Sequence, residues 1–568
     1  VELVLDGRAA LPMGRDDRSD DPGWWALDVP DAGGGTRYRY SVDGGTPRAD
    51  PRSAHQPEGP EGPSELVDHS AFPWTDGTWR GFHLPSALLY EMHVGTFTPE
   101  GTFAAAVERL DHLCDLGVTA VELMPVAEFP GAHGWGYDGV DLYAPHHAYG
   151  GPDGLKELVD ACHGRGLAVV MDVVYNHLGP SGNYLPEFGP YFTDSYTTPW
   201  GTAINFDGPD SEQVRRFFVD NALMWLRDYH CDALRIDAVH AILDISAFHI
   251  LEQLADEVER LSAASGWRRW LTAESDLNDP RIVQARAAGG YGIDAQWSDD
   301  FHHAIHTLLT GERDGYYADF GSVDDVAHAL SHAFVYDGRY SRYRRRRHGR
   351  PVSGLPGWAF VGFSQNHDQV GNRATGQRLA GLVPPARLKM AAALVLLAPF
   401  VPMLFQGEEW AASSPFQYFT DHPDPDLGRA VSAGRRREFV AFGWDPEDIP
   451  DPQDPATFLR SKLDWSEVGT GVHAEVLAWY RALAALRRAE PDLTDGDMER
   501  VRAEQPAPDV LLVRRGRIGL ALNLGPRPAR LPFSGRPADV VLASAEGCGT
   551  REGELDLPPE SVVIVRAP

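Results

Sequence analysis

Eight near-continuous apolar runs recur between residues 88 and 409, and amphipathic stretches separate many of them. The runs are LLYEMHVGTF (88–97), AVELMPV (120–126), LAVVMDVVYNH (167–177), ALRIDAVH (233–240), WLTAESD (270–276), GIDAQWSDD (292–300), AFVGFSQNHD (359–368) and VPMLFQGEE (401–409). Strands that are apolar throughout, rather than alternately, are buried on both faces, as in a parallel sheet covered by helices. Stretches such as FAAAVERLDHLCDLG, PDGLKELVDACHGRG and ISAFHILEQLADEVERL have the helical spacing to do the covering. This rhythm predicts an α/β fold closed as a (β/α)₈ TIM barrel. An open doubly wound sheet is the alternative.

The flanks have a different texture. VELVLDG, GWWALDVP and TRYRYSVDG are short strands between Gly, Pro and Asp turns, followed by the Pro-rich connector DPRSAHQPEGPEGPSELVD. After about 490, DVLLVRRG, IGLALNLG, ADVVLAS and SVVIVRAP return to β patterns. The expected organisation is an N-terminal β-sandwich module over 1–82, the barrel over 83–488 and a C-terminal β-sandwich over 489–568. A short excursion is expected after the third strand, near 178–212.

Composition excludes several function classes. Net charge is −31, from 51 basic and 82 acidic residues, which argues against a nucleic-acid backbone or an anionic membrane as partner. Lys156, Lys389 and Lys462 are the lysines, and none follows a glycine, so no phosphate loop of the G-x-x-x-x-G-K type exists. Cys114, Cys162, Cys231 and Cys548 form no C-x-x-C pair, which points to buried thiols in a reducing, cytoplasmic setting rather than disulfides or zinc. MAAALVLLAPFVPMLF (390–405) is apolar, but Pro399 and Pro402 make it a buried helix, a turn and a strand rather than a membrane span.

Chemistry gathers where the strands end, the face that carries TIM-barrel active sites. The third ends in Asp172, Asn176 and His177, the fourth in Arg235, Asp237 and His240, the fifth in Glu274, and the seventh in His367 and Asp368. Arg235 and Asp237 stand two apart and so share one face of their strand. A buried ion pair would satisfy that pattern on its own. Three carboxylates converging on one mouth, however, suit acid–base chemistry on a neutral polar substrate. Glycoside hydrolysis needs two carboxyls in opposite protonation states. Arg235 is expected to lower the pKa of Asp237, while Glu274, with no opposite charge nearby on its strand, is expected to be raised by burial.

Trp135, Tyr137 and Trp200 are candidates to stack on sugar rings, although single aromatic residues are more often core. In HGWGYDG, Gly134, Gly136 and Gly139 match G-x-G-x-x-G, but no helix pattern follows, so the match is accidental. His302 and His306 have the spacing of a metal pair without a third ligand, and read as helix residues. The run SRYRRRRHGR (341–350) reads as a solvated basic loop or one beside a cleft. No cofactor or metal is required.

At DVVYNH, LRIDAVH, AES and QNHD the chain resembles the α-amylase family of glycoside hydrolases (family 13), with the motifs in that family's order. The resemblance implies a retaining double displacement, with Asp237 as nucleophile, Glu274 as acid/base and Asp368 as transition-state stabiliser. It implies sugar contacts from Tyr137, His177, Arg235 and His367, and places His240 toward the leaving group. Trp135 and Asp138 complete the expected sugar-binding set. The N-terminal segment resembles the immunoglobulin-like module that precedes the barrel in branching enzymes and their relatives, opening as if its first strand were absent. TPWGTAINFDGPDS (198–211), FSQNHDQVGNRATGQRL (363–379) and LFQGEEWAASSPFQYFTDH (404–422) are similar to the trehalose-releasing branch of the family. That branch cleaves the α-1,4 bond next to the terminal trehalose of maltooligosyltrehalose, the product of maltooligosyltrehalose synthase. A 1,4-α-glucan branching enzyme, acting on α-1,4-glucans with the same carboxylates, is the alternative.

Overall fold

The computed structural model describes residues 1–16, 23–440, 444–532, 539–551 and 553–567. All eight apolar runs supply a parallel strand: β1 Leu89–Met92, β2 Ala120–Leu123, β3 Ala168–Val173, β4 Ala233–Ile236, β5 Trp270–Ala273, β6 Ala295–Trp297, β7 Phe360–Gly362 and β8 Val401–Phe405. Each pairs with the next in chain order and β8 pairs with β1, so the sheet closes into a barrel and the open doubly wound alternative is excluded.

Helices cover the barrel's outer face. Among them are α1 Gly151–His163, α2 Ser211–Arg227, α3 Ile250–Ser265, α4 Asp299–Thr310, α5 Val323–His332, α6 Pro385–Leu396 and α7 Gly471–Ala489. In α3 the buried Ile250, Leu251, Leu254, Ala255 and Val258 form the stripe the sequence spacing predicts, and left-handed Gly266 stops the helix. The pattern suggested a start near Ile245, five residues early. Asp244 instead accepts from the Ser246 and Ile250 N–H groups and holds a turn there. The first expected helix is split into Phe103–Val107 and Leu110–Leu116.

Inside the barrel, Leu89, Ala120, Ala168, Val170, Ala233, Ala295, Val361 and Met403 form an apolar floor around Trp297. Alanines on β2, β3, β4 and β6 leave the width that one indole fills. The next inward positions toward the mouth are Glu91, Glu122, Asp172, Arg235 and Thr272, all buried. Register places Glu91 beside Glu122 and Arg235 between Asp172 and Thr272. The strands that pack the floor thus carry the polar layer above it.

The excursion after β3 holds a short helix, Leu185–Phe188, and a hairpin of Phe192–Thr198 with Gly201–Ile204. N-terminal to the barrel, Leu11–Pro12, Glu2–Leu5, Arg37–Ser41 and Ser64–Glu65 form a four-stranded sheet, beside a small hairpin of Gly14–Arg15 with Trp25–Ala26. Beyond α7, a five-stranded and a three-stranded sheet enclose Val510, Leu512, Leu531, Leu555 and Val563 as a sandwich core. The apolar run 390–405 is α6, a turn and β8, and among the described residues no helix is long and apolar enough to cross a membrane.

Candidate active site

The polar layer is organised by Arg235, whose side chain is 0% exposed. Its Nη1 donates to both oxygens of Asp172 and to Asp237 Oδ1, each at 2.8 Å, and its Nη2 donates to Glu274 Oε2 at 2.8 Å. One guanidinium therefore bridges three carboxyls from β3, β4 and β5. A planar group with fixed N–H directions can do this where a lysine ammonium cannot. Asn176 Nδ2 donates to the second Asp237 oxygen at 3.1 Å, and the Ala238 N–H donates to Glu274 at 2.9 Å. Ala238 sits in the left-handed region, φ 38°, unusual for a residue with a Cβ, and this turn aims its N–H at Glu274.

One sequence expectation holds here and one is corrected. Glu274 has no opposite charge on its own strand, although Arg235 reaches it from the neighbouring one. Burial still dominates and pushes its carboxyl up from the ordinary range, with Arg235 opposing. Asp237 was expected to be lowered by Arg235. Burial outweighs the guanidinium, and its carboxyl is also raised. The sequence spacing revealed the partner but not the cost of taking both groups out of water. Asp237 raises Glu274 as a like charge, whereas Glu274 lowers Asp237 through a hydrogen bond between the two carboxyls, an arrangement that favours one shared proton on the pair.

A second branch runs to β1. The Tyr137 hydroxyl donates to Asp172 at 2.7 Å and lies 2.8 Å from His367 Nε2, while His367 Nδ1 is 2.5 Å from Glu91. Burial disfavours a charged imidazole, but Asp368 and Glu91 override it and raise His367 to about 9. The ring is then an imidazolium donating from both nitrogens. Gly136 makes this possible: it is left-handed, φ +99°, and a Cβ there would lie 2.1 Å from the Pro125 carbonyl oxygen. The HGWGYDG turn therefore aims Tyr137. A strand, Asp141–Pro145, follows it rather than a helix, so the dinucleotide signature is accidental, as expected.

The other expected residues divide. His177 stacks on Trp200 at 5.1 Å, with its ring nitrogens at Asn176 and the Tyr137 carbonyl. Trp200 is 48% exposed and offers an open face. Trp135, expected against sugar, is buried, bonds the Gln417 carbonyl and backs His367 edge-on instead. Asp138 is partly exposed and faces His422 at 3.8 Å. His240 meets the Asp276 N–H at 3.4 Å, at the rim near Glu274. Asp368 lies 3.5 Å from His367 and accepts from Asn372. It opens onto a cleft of about 390 Å³ walled also by Asp276, Asp299, Tyr316, Arg344 and Arg373. Arg344 belongs to the basic run 341–350 and pairs with Asp276 through both terminal nitrogens, so that run reaches the cleft.

Glu91 is the residue that sequence reasoning passed over. Its signal was of the same kind as that of Arg235: a charge inside an apolar run, LLYEM. His302 and His306 bond the Ser364 carbonyl, Tyr317 and Glu312, so they are helix residues with partners rather than a metal pair. Among the described residues, Glu128, His146 and His147 lie close enough to hold a metal. There, however, Glu128 is already held by the His147 ring and N–H, and His146 Nδ1 accepts from Ala148.

Comparison with known proteins narrows this geometry. A family model described as the alpha amylase catalytic domain matches residues 68–196, and a domain of unknown function, DUF3459, matches 499–564. The chain is 52% identical to the malto-oligosyltrehalose trehalohydrolase of Arthrobacter ramosus, over 99% of this chain and 97% of that protein. It is 47% identical to the protein of the same name from a Rhizobium species, over 99% and 95%. This chain belongs to the malto-oligosyltrehalose trehalohydrolases. The crystal structure of a Salmonella typhimurium protein described as an alpha amylase is 40% identical, with a TM-score of 0.91, and the match covers 100% of this chain and 95% of that one. By contrast, similarity to a glucan branching enzyme from Pseudoalteromonas atlantica is 34% and spans 53% of this chain and 46% of that one. The branching-enzyme alternative is therefore the weaker reading.

Proposed function

We propose that this enzyme hydrolyses the α-1,4-glucosidic bond next to the terminal trehalose of maltooligosyltrehalose, releasing trehalose and a maltooligosaccharide with retention of configuration. The observation that carries the reading is the Arg235 bridge, which holds Asp237 and Glu274 on adjacent nitrogens of one guanidinium. Retention needs the two carboxyls roughly 5–5.5 Å apart, with no water between them, and a shared guanidinium supports that closeness.

Glu274 carries the proton of the pair and gives it to the glycosidic oxygen as Asp237 attacks the anomeric carbon. The C–O bond to trehalose breaks and a β-linked glycosyl ester forms on Asp237. Water then loses a proton to Glu274, attacks the same carbon and releases the α-anomer. Asp368 and the dipoles around it stabilise positive charge developing at the sugar ring. Tyr137 and His177 flank the sugar whose bond is cleaved, Arg235 and His367 are buried behind them and hold the carboxyls and the Tyr137 hydroxyl, and Trp200 offers a stacking face for the chain beyond.

The substrate is supplied by a maltooligosyltrehalose synthase, the functional partner, in trehalose biosynthesis. The four cysteines are free thiols, which fits a cytoplasmic enzyme. Chromatography of products from parallel incubations with maltotriosyltrehalose and maltopentaose tests the reading. Trehalose release from the first, with the second nearly untouched, is expected. Equal cleavage of both, or branched products, would overturn it.

A further inference from the structure

The run WSDDF places two acids side by side at the end of β6, and the structure uses them in opposite ways. Asp300 is buried and held through one oxygen: its Oδ2 accepts from the Val335 and Tyr336 N–H groups and from Asn278 Nδ2. Asp299, the first residue of α4, has no hydrogen bond or ion pair holding its carboxyl among the described residues, and it faces the cleft. Its backbone has little freedom to withdraw. On one side the Ser298 N–H bonds the Val361 carbonyl and its hydroxyl bonds the Ala333 carbonyl, and on the other Asp300 is anchored three times.

The neighbouring polar groups of the cleft are taken. Arg344 holds Asp276, Arg373 and His306 hold Glu312, and Asp368 is held by His367 and Asn372. An unpaired, half-buried carboxyl in such company costs free energy unless something else satisfies it. Position identifies what that is. Asp299 follows β6, the strand after the one that carries Glu274, whereas Tyr137, His177 and Trp200 follow β2 and β3 across the mouth. Glu274 protonates the oxygen that departs, so the leaving sugar lies on its side of Asp237.

We propose that Asp299 contacts the substrate on the leaving-group side, where its carboxyl hydrogen-bonds a hydroxyl of the departing trehalose unit. The proposal rests on the trehalose-releasing reading of the site. Burial, with Glu274, Asp276, Asp368 and Asp300 as like charges around it and the Tyr316 phenol nearby, keeps the Asp299 carboxyl well above the ordinary range. A carboxyl that keeps its proton can donate to one sugar oxygen and accept from another.

The test compares wild type, Asp299→Asn and Asp299→Ala on maltotriosyltrehalose and on maltopentaose, with KM and kcat measured separately. Asp299→Ala is expected to raise KM for maltotriosyltrehalose about tenfold and to lower its preference over maltopentaose by a similar factor, the size of one lost hydrogen bond to substrate. Asp299→Asn, which keeps a donor and an acceptor, is expected to recover most of that loss. The proposal is overturned if both substrates fall by the same factor, which marks a structural role, or if neither falls. Should Asp299→Ala not fold, Asp299→Leu, of similar size but without a hydrogen-bonding group, decides: a KM raised for maltotriosyltrehalose and not for maltopentaose is expected, and a loss of kcat alone, with KM unmoved, also overturns the proposal. A wild-type enzyme that cleaves both substrates equally defeats the trehalose reading itself, before any variant is compared.

Discussion

The floor and the mouth of the barrel are built from the same strands, two residues apart, and they obey opposite rules. On β4, Ala233 faces the apolar floor around Trp297 while Arg235 faces the polar layer above it. The floor is held by non-directional burial, which tolerates substitution by volume. The mouth is held by directed hydrogen bonds among charges removed from water, where losing one partner strands the others. A dry floor thus fixes strand ends whose charged groups need precise placement. Arg235 couples the two layers, its guanidinium lying 4.3 Å from the centre of the Trp297 ring.

Breaking the mouth should abolish chemistry without unfolding the chain. Asp237→Asn is expected to lower kcat by a factor on the order of 10⁴, with the melting temperature no lower than wild type, because a buried carboxyl is replaced by a neutral amide. Steady-state kinetics and calorimetry on one preparation check this. Arg235→Met should cost both functions: kcat falls by about 10² or more, and stability by about 3–5 kcal/mol, because three buried carboxyls lose their common partner. Denaturant unfolding measures the second effect.

Breaking the floor should have the reverse balance. Trp297→Ala leaves a cavity costing about 3–5 kcal/mol, with a smaller proportional loss of kcat than Arg235→Met. Equal kcat losses in the two variants would erase the distinction between the layers.

The pH dependence sharpens it further. His367 is raised to about 9, so the stabilisation it gains from Glu91 and Asp368 is complete below about 6.5, its unfolded value, and is lost as pH rises through about 9. Glu91→Gln removes one of the two raising charges, so the stabilisation should be smaller and its loss complete at lower pH. Urea midpoints between pH 6 and 10 follow the shift. The smallest effect is expected at the rim: Trp200→Ala should raise KM for long substrates a few-fold and leave stability within about 0.5 kcal/mol.

Much of this architecture was legible in the chain, for a physical reason. Buried parallel strands must be apolar throughout, so eight of them stood out, and any charge within one was conspicuous. That is how Arg235 and Asp237 were found, and how Glu91 could have been. Three things were not legible. The engagement of Arg235 by Asp172 and Glu274 depends on register between strands far apart in sequence. The raised carboxyl of Asp237 depends on how much protein covers it. Trp135 looked like an open aromatic platform, but only packing decides whether an indole faces sugar or backs a histidine. It fits behind His367 because Gly371, where a Cβ would lie 2.1 Å from the indole, leaves room.

In the proposed mechanism Asp237 and Glu274, bridged by one guanidinium, act as nucleophile and acid/base at close range. Proton NMR of the maltotriose released in the first minutes of maltotriosyltrehalose cleavage tests it most directly, because the anomer appears before mutarotation mixes it. The α-anomer appearing first is the predicted result; the β-anomer appearing first would mean direct attack by water across a wider gap, and would contradict the account.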